Sequence, residues 1–534
     1  MVSQFPGRRT SLFAPVLARL AASEQKTPCL MPDTQLTARR PLRLRFDLPS
    51  RPAILSSVLA PVRAFRPAYL PLLTIYLASG ALGLVAVADA FWVKKALTLT
   101  PAELAALAVW LQLPWTAKMV VSEFVDALPI LGSQRRSYTL IGAGLIAAGL
   151  LLLAGAAGGW IAFASAERIY VLAQLLIVIG AVVQEVVADA MGPEVVSRVH
   201  ADGSPRPQAE IAADLAMVEV LARLTYSIGA FVVGGLAGLL AKIFAYETVF
   251  LIGLVVPALS VSGAMLVRLR GGRTRALDWR ILGGGVLLAA TATLLALSAF
   301  RFAQEIVFLV SLAVICLMLR RVMAPLARPI KQRIVVAAIA IFAFRAVPML
   351  GEGYRWFAMD RLGFDETFFG VLALTGTGVG LAAMWLLTDA VVRRPATTVL
   401  LWLTGLAAVL FLPSLLLVHG VHEWTERVLG FGARSIALID EAAQSPLALL
   451  ATVPLLALIA VNAPADQRAT WFALIASLMS LAIVASQLLT KYLNLVFPVG
   501  RGAYEELPSL VLAVVVTAVV LPLSVILALR SRLR

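Results

Sequence analysis

Charge, cysteine and histidine are all scarce in this chain. Of its 534 residues only 14% are Asp, Glu, Lys or Arg, while 60% are hydrophobic, and the mean hydropathy is +0.91. A soluble domain does not present so few charges. The two cysteines, Cys29 and Cys316, lie far apart in different settings, which excludes a disulfide framework and a thiolate metal site. Three histidines, His200, His419 and His422, are assigned to loops. His419 and His422 beside Glu423 have a weak metal-like spacing, but a solvated loop explains them, so no metal is expected. The sequence also lacks a Walker phosphate loop, a nucleophile–base constellation and the alternating pattern of an outer-membrane barrel. An ATP-driven engine, an enzyme and a cofactor are therefore not expected.

What is present is a succession of apolar runs near the ~20 residues that cross a bilayer as helices. Hydropathy places spans near 68–92, 104–125, 138–160, 169–192, 214–241 and 247–267, a pair at 281–300 and 303–319, and six more near 334–357, 368–390, 397–418, 435–461, 469–493 and 508–529. The fold class expected is an all-α polytopic membrane protein of about 14 spans. Residues 1 to about 67 hold eleven Lys/Arg against three acids, are broken by prolines and lack a signal-peptide core. They read as a retained, largely disordered cytoplasmic tail, with an organellar transit peptide or a misassigned start as the alternatives.

The net charge of +15 suggests a nucleic-acid partner until the charges are placed. Loops on the tail's side carry 31 Lys/Arg, counting the tail, against 9 on the other side. That asymmetry puts both termini in the cytoplasm, facing anionic lipid, and excludes a nucleic-acid role. A bacterial inner (plasma) membrane is the expected location and a monomer the expected state.

One stretch organises the chain: LPWTAKMVVSEFVDALPILGSQRRSY, from Leu113 to Tyr138. Asp126 closes a span, Pro129 and Gly132 turn the chain, and Arg135–Arg136 face the next span. A carboxylate and two arginines so placed form a breakable lock or, in the simpler reading, fix topology. Asp389 with Arg393 and Arg394 repeats the arrangement after the second span of the last six. Two six-helix halves with the same loop chemistry point to the major facilitator architecture, with the pair at 281–319 as two additional linker helices. The domains expected are the tail 1–67, a first half 68–268, a linker 269–333 and a second half 334–534.

Ionisable groups inside spans cost several kcal/mol and normally face a cavity or a partner. Lys118 lies in the second span, Glu185 and Asp189 are i,i+4 in the fourth, and Glu219 and Arg223 are i,i+4 in the fifth. Two carboxylates on one face suit proton coupling, whereas Glu219–Arg223 is as readily a simple intrahelical pair. In the ninth span Arg345 falls near mid-membrane and Glu352 follows seven residues on, with Pro348, Gly351 and Gly353 loosening the helix. Arg355 lies at its outer end among Tyr354, Trp356 and Phe357, and aromatics there also suit an interfacial belt. Asp89 in the first span is placed to pair with Lys94 or to gate the outer mouth.

Pro114, Trp115 and Lys118, then Asp126, Pro129–Ile130, Gly132, Arg135–Arg136 and Tyr138, resemble the folate–biopterin transporter family of the major facilitator superfamily. Glu185, Asp189 and Ala190 stand where that family has its D-x-x-x-D-A, RLGFDETFFG (Arg361–Gly370) resembles the turn after its first helix of the second half, and the run Val453–Ala482 resembles its ATxFAL block. Ser122, Arg468 and Ser480 depart from the pattern. The resemblance implies a folate- or pterin-like solute, and with the charges inside the spans it leads to the expectation of a secondary active transporter, a proton-coupled symporter of a small anionic solute. In that reading Lys118, Glu185, Asp189, Arg223, Arg345, Glu352, Arg355 and Asp89 serve substrate and coupling, and Asp126, Arg135, Arg136, Asp389, Arg393 and Arg394 serve as gates. A non-transporting assembly factor, or a lipid or amphiphile exporter on the same fold, is the alternative.

Overall fold

A computed structural model describes residues 65–267, 279–392, 402–445 and 468–529, apart from a few single positions. The basic tail up to residue 64, with Cys29, lies outside them, as do Arg393, Arg394 and the side chain of Asp389. Among the described residues the chain is helical, with two isolated bridges and no strand. This is the all-α arrangement that backbone groups require in lipid.

The first span is two helices, α1 (Leu70–Ala81) and α2 (Ala86–Ala96), joined by a 3₁₀ turn. The second is also divided. Pro114 lies inside α3 (Pro101–Thr116), the helix breaks at Ala117, and α4 restarts at Lys118 and runs to Ala127. Proline removes one ladder bond, which weakens the helix around it. Helices α5 (Arg136–Ala157), α6 (Ala166–Glu194) and α7 (Gln208–Ile243) follow, then α8 (Tyr246–Ile252) with α9 (Val255–Leu266). The pair α10 (Trp279–Leu297) and α11 (Ala303–Val322) comes next. The ninth span is α12 (Arg328–Arg345) and α13 (Gly351–Asp360), separated where Pro348 precedes Gly351 at φ 72°. Then come α14 (Glu366–Val392), α15 (Leu412–Val418), α16 (Val421–Leu429), helical residues 433–445, α17 (Arg468–Val496) and α18 (Leu507–Leu529). His422 therefore lies within α16 rather than in a loop, while His419 caps the end of α15.

Nine described helices are long and apolar enough to cross a membrane, ten if a bent pair is one span. Fourteen remains approximate, because the ninth span is split and others run into residues not described here.

By packing, the chain separates into two units. The smaller holds Gly192–Leu224 with the described residues up to Leu70. Several of its charges pair locally: Asp214 meets Arg206 at 3.0 Å and Arg66 at 3.3 Å, and Glu219 meets Arg223 at 3.0 Å. The larger holds Pro71–Met191 and everything from Thr225 onward. Its main core gathers Trp92 of α2, Leu153 of α5, Phe250 of α8, Trp356 of α13 and Leu510 of α18. Two close approaches depend on glycine. A Cβ at Gly80 would strike the Tyr226 carbonyl, and one at Gly238 would strike the backbone at Glu366 and Gly370. The first brings α1 onto α7; the second brings α7 onto α14.

In the larger unit α3 lies along α17, and the added helices join that seam. Helix α10 packs on α4, and α11 packs on both α17 and α3. Lys491 of α17 meets Glu305 of α11 at 2.8 Å, and Tyr492 donates to the same carboxylate at 2.6 Å. Gln304 accepts from Lys491 and donates to the Ala106 carbonyl of α3. The pair is thus pinned to a helix from each half.

Candidate functional site

The break at Ala117 places Lys118 at the head of α4, facing α6. There the i,i+4 spacing of Glu185 and Asp189 puts both carboxylates on one face, and the ammonium lies between them. Lys118 Nζ is 2.6 Å from Glu185 and 3.3 Å from Asp189. Tyr76 of α1 donates to the other Asp189 oxygen at 2.6 Å. The repulsion expected of two adjacent carboxylates is offset by this cation. The cluster stays partly solvated: the side chains of Lys118, Glu185 and Asp189 are 19%, 33% and 53% exposed. It forms a charge-assisted network whose members can be exchanged rather than a sealed ion pair.

Beside it lies a cavity of about 400 Å³, within the ~300–1,000 Å³ of small-molecule sites. Ser79, Gly80, Trp115, Glu185, Tyr226 and Thr377 are among its lining residues. They come from α1, α3, α6, α7 and α14. Trp115 also receives Lys118 over its ring at 5.7 Å from the centroid. The walls are mainly apolar, with one carboxylate, the hydroxyls of Ser79, Thr377 and Tyr226, and the rings of Trp115 and Tyr226.

Other expected residues are distributed differently. Arg345 and Glu352 are not brought together. Glu352 pairs with Arg355 at 3.0 Å, across i,i+3 of α13. Arg345 ends α12, and its Nε is buried with no hydrogen-bond partner among the described residues. Arg223 pairs with Glu219 on an exposed face, the simpler of its two readings. Lys94 does not take Asp89. It pairs with Asp360 at the end of α13, while Tyr504 donates to the second Asp360 oxygen at 2.5 Å. Asp89 instead accepts from Tyr170 at 3.3 Å and Gln174 at 3.1 Å. At the opposite end of the helices Arg135 is 2.9 Å from Asp126 and nearly buried, and Arg136 reaches the Met265 sulfur at 3.0 Å.

Sequence reasoning passed over the residues at the Lys94 end. Arg501 reaches from the α17–α18 loop to the last carbonyls of α2, at 2.9 Å from Lys94 O and 2.6 Å from Leu97 O. Its guanidinium also stacks over Trp356, 4.3 Å from the ring centroid. Asp365 holds Lys242 at 3.0 Å and Arg434 at 3.4 Å. Burial works to raise that carboxyl, but the bonds from Lys242 and the Phe368 N–H outweigh it and hold it below the ordinary aspartate range. Lys94–Asp360, Arg501 with the end of α2, and Lys242–Asp365 tie the first half to the second, while Arg434–Asp365 lies within the second. A lone loop arginine or a charged turn carries no sequence signal of the partner it meets.

A protein-family model described as the BT1 family matches residues 79–533. A folate-biopterin transporter of Synechocystis sp. is 27% identical over 453 residues, covering 83% of this chain and 78% of that protein. Among solved structures, a POT family transporter in complex with 5-aminolevulinic acid superposes with a TM-score of 0.61 at 14% identity, over 87% of this chain and 96% of the other. The peptide transporter POT in complex with sulfate gives 0.58 at 16% identity, over 87% and 94%. At these identities the structures speak for the fold alone, and it is the major facilitator fold.

Proposed function

This chain belongs to the BT1 family of membrane transporters, and from that premise we propose that it is a secondary active transporter of a small anionic, folate- or pterin-like solute, driven by protons. The observation that carries the reading is Lys118, held by Glu185 at 2.6 Å beside a cavity of about 400 Å³. An arriving solute carboxylate competes for the ammonium, and the released Glu185 then favours a proton over a bare charge in an apolar wall. Solute and proton are thereby exchanged for one ion pair, which is the coupling a symporter needs. The Trp115 and Tyr226 rings supply stacking for a pteridine-like ring.

Arg345 offers a second cation from the other half. Its Nε is buried with no hydrogen-bond partner among the described residues, which is costly, and a second solute carboxylate would satisfy it. Glu352 and Arg355 stand next along the same span. The Arg135–Asp126 contact at one end and the Lys94–Asp360 and Arg501 contacts at the other are the breakable ties of a rocking motion. The similarity to a protein named for folate and biopterin supports the ring class of the solute.

Equilibrium binding of radiolabelled folate to the purified protein tests the site. Wild type should bind saturably, Trp115→Ala and Lys118→Ala should weaken binding at least tenfold, and Arg223→Ala should not change it. Equal affinity across the set would remove the cavity from the reading.

A further inference from the structure

Asp89 and Asp440 lie in the helices without an ion pair among the described residues, and the clusters that hold them occupy corresponding places in the two halves. Asp89 sits on the first span of the first half, and its partners Tyr170 and Gln174 are i,i+4 on that half's fourth span. Asp440 and Gln444 are i,i+4 on the fourth span of the second half, and the Tyr354 hydroxyl, on that half's first span, faces Asp440 and Ser414. Acid and tyrosine have traded helices, while the glutamine holds its place. The halves of this fold are parallel repeats, so the two clusters are one design used twice.

The bonding is alike in detail. Gln174 Nε2 donates to Asp89 Oδ1 at 3.1 Å, and Tyr170 Oη donates to Oδ2 at 3.3 Å. Gln444 Nε2 donates to Asp440 Oδ1 at 2.5 Å, and Ser414 Oγ donates to Oδ2 at 2.6 Å. Asp440 is 9% exposed and Ser414 fully buried. The Asp89 carboxylate borders a separate cavity of about 160 Å³, whose other lining residues are apolar except Gln174. In each cluster one oxygen meets an amide nitrogen, which can only donate. The other meets a hydroxyl, which can donate to a carboxylate or accept from a carboxylic acid. Each site therefore accommodates both protonation states by turning one hydroxyl, with no heavy atom displaced. The neighbouring charges do not settle the matter in favour of the anion: Glu352 and Arg355, which face Asp89 from α13, pair with each other, and Glu441 follows Asp440 on its own helix.

We infer that Asp89 and Asp440 are a matched pair of proton-binding sites, one in each half, distinct from the Lys118–Glu185–Asp189 cluster. Half-buried or buried, and bonded among the described residues only to neutral donors, each acid holds its proton while its cluster is closed. Each releases it when rocking admits water, with the hydroxyl of Tyr170 or Ser414 reversing to stabilise the anion. Proton binding is thereby divided between the halves. The inference rests on the proposed transport only for what the protons drive, not for where they bind.

Infrared difference spectroscopy of the full-length protein reconstituted in lipid, stepped from acidic to alkaline pH, reads the protonated carboxyl C=O stretch directly. Wild type should show bands that Asp89→Asn and Asp440→Asn each remove in part and the double variant removes together. Tyr170→Phe should shift the Asp89 component without deleting it, since only the hydrogen bond changes. Unchanged bands in both Asn variants, shown folded by gel filtration and thermal melting, would overturn the inference. If wild type transports folate, Asp440→Asn should lose uphill accumulation under a pH gradient yet retain gradient-free counterflow; unimpaired uphill accumulation would also overturn it. Absence of wild-type uptake with the bands present would defeat the transport reading and leave the proton sites intact.

Discussion

Removing the Arg501 side chain should open the end of the molecule that carries Lys94. The guanidinium makes two short bonds, to Lys94 O and Leu97 O, at the exposed C-terminus of α2. Hydrogen bonds to a charged group contribute ~1.5–3 kcal/mol each. The stack on Trp356 adds ~0.5–2 kcal/mol. Arg501 is exposed, so the low ends of these ranges apply, and Arg501→Ala should cost the closed arrangement about 3–3.5 kcal/mol. At ~1.4 kcal/mol per tenfold, that is a shift of roughly 100–300-fold toward the open arrangement. The carbonyls left behind at the helix end are orphaned unless water reaches them, which opening provides. Spin labels at Lys95 and Glu505, both exposed, in a Cys29→Ser, Cys316→Ser background, report the separation by pulsed electron resonance. The wild type should give one short distance and Arg501→Ala a second, longer population of comparable or greater size. An unchanged distribution would refute the assignment of Arg501 as a tie between the halves.

Lys118→Ala leaves Glu185 and Asp189 facing each other without their cation. It should lower the melting temperature and abolish folate binding, whereas Glu185→Gln should keep the fold and lose only coupling, as thermal shift beside uptake would show. Lys491→Ala unpins α11 from α17 by removing a pair in which both side chains are mostly buried. Hydrogen exchange should rise first at the start of α11, by about 10–100-fold if ~1.5–3 kcal/mol is lost, with α3 unchanged. The carboxyl of Asp365 is held below its ordinary value, so its contribution to stability is complete above the unfolded value and is lost only as pH falls through the lower, folded one. Exchange near Lys242 and Arg434 should therefore accelerate on acidification below the ordinary aspartate range in wild type. Asp365→Asn should exchange fast at every pH and show no such transition.

The helical, membrane-spanning class was legible because lipid leaves the backbone few options and long apolar runs declare themselves. The loosening of the ninth span was read from Pro348 and Gly351, whereas the break of the second at Ala117, after Pro114, was not expected. Intrahelical pairs were legible for the same reason: i,i+4 spacing fixes Glu185 with Asp189 and Glu219 with Arg223. Partners across helices were not. Asp89 was placed either to pair with Lys94 or to gate the outer mouth, yet the chain turns Lys94 toward Asp360 and Asp89 toward α6. Asp440 escaped notice because a single acid near a span end looks like ordinary boundary charge. Its meaning comes from Ser414, Gln444 and Tyr354, gathered from three spans. Arg345 was joined to Glu352 by helical periodicity, and the break at residues 346–350 removes that periodicity.

Uptake of labelled folate and pterin into proteoliposomes, with and without an imposed proton gradient, tests the central claim most directly. The account predicts saturable accumulation that the gradient increases, loss of that increase in Glu185→Gln, and loss of uptake in Arg345→Ala. Absence of uptake of both compounds, by protein shown to be folded and inserted, would contradict the assigned solute. Uptake that is indifferent to the gradient would contradict the assigned coupling.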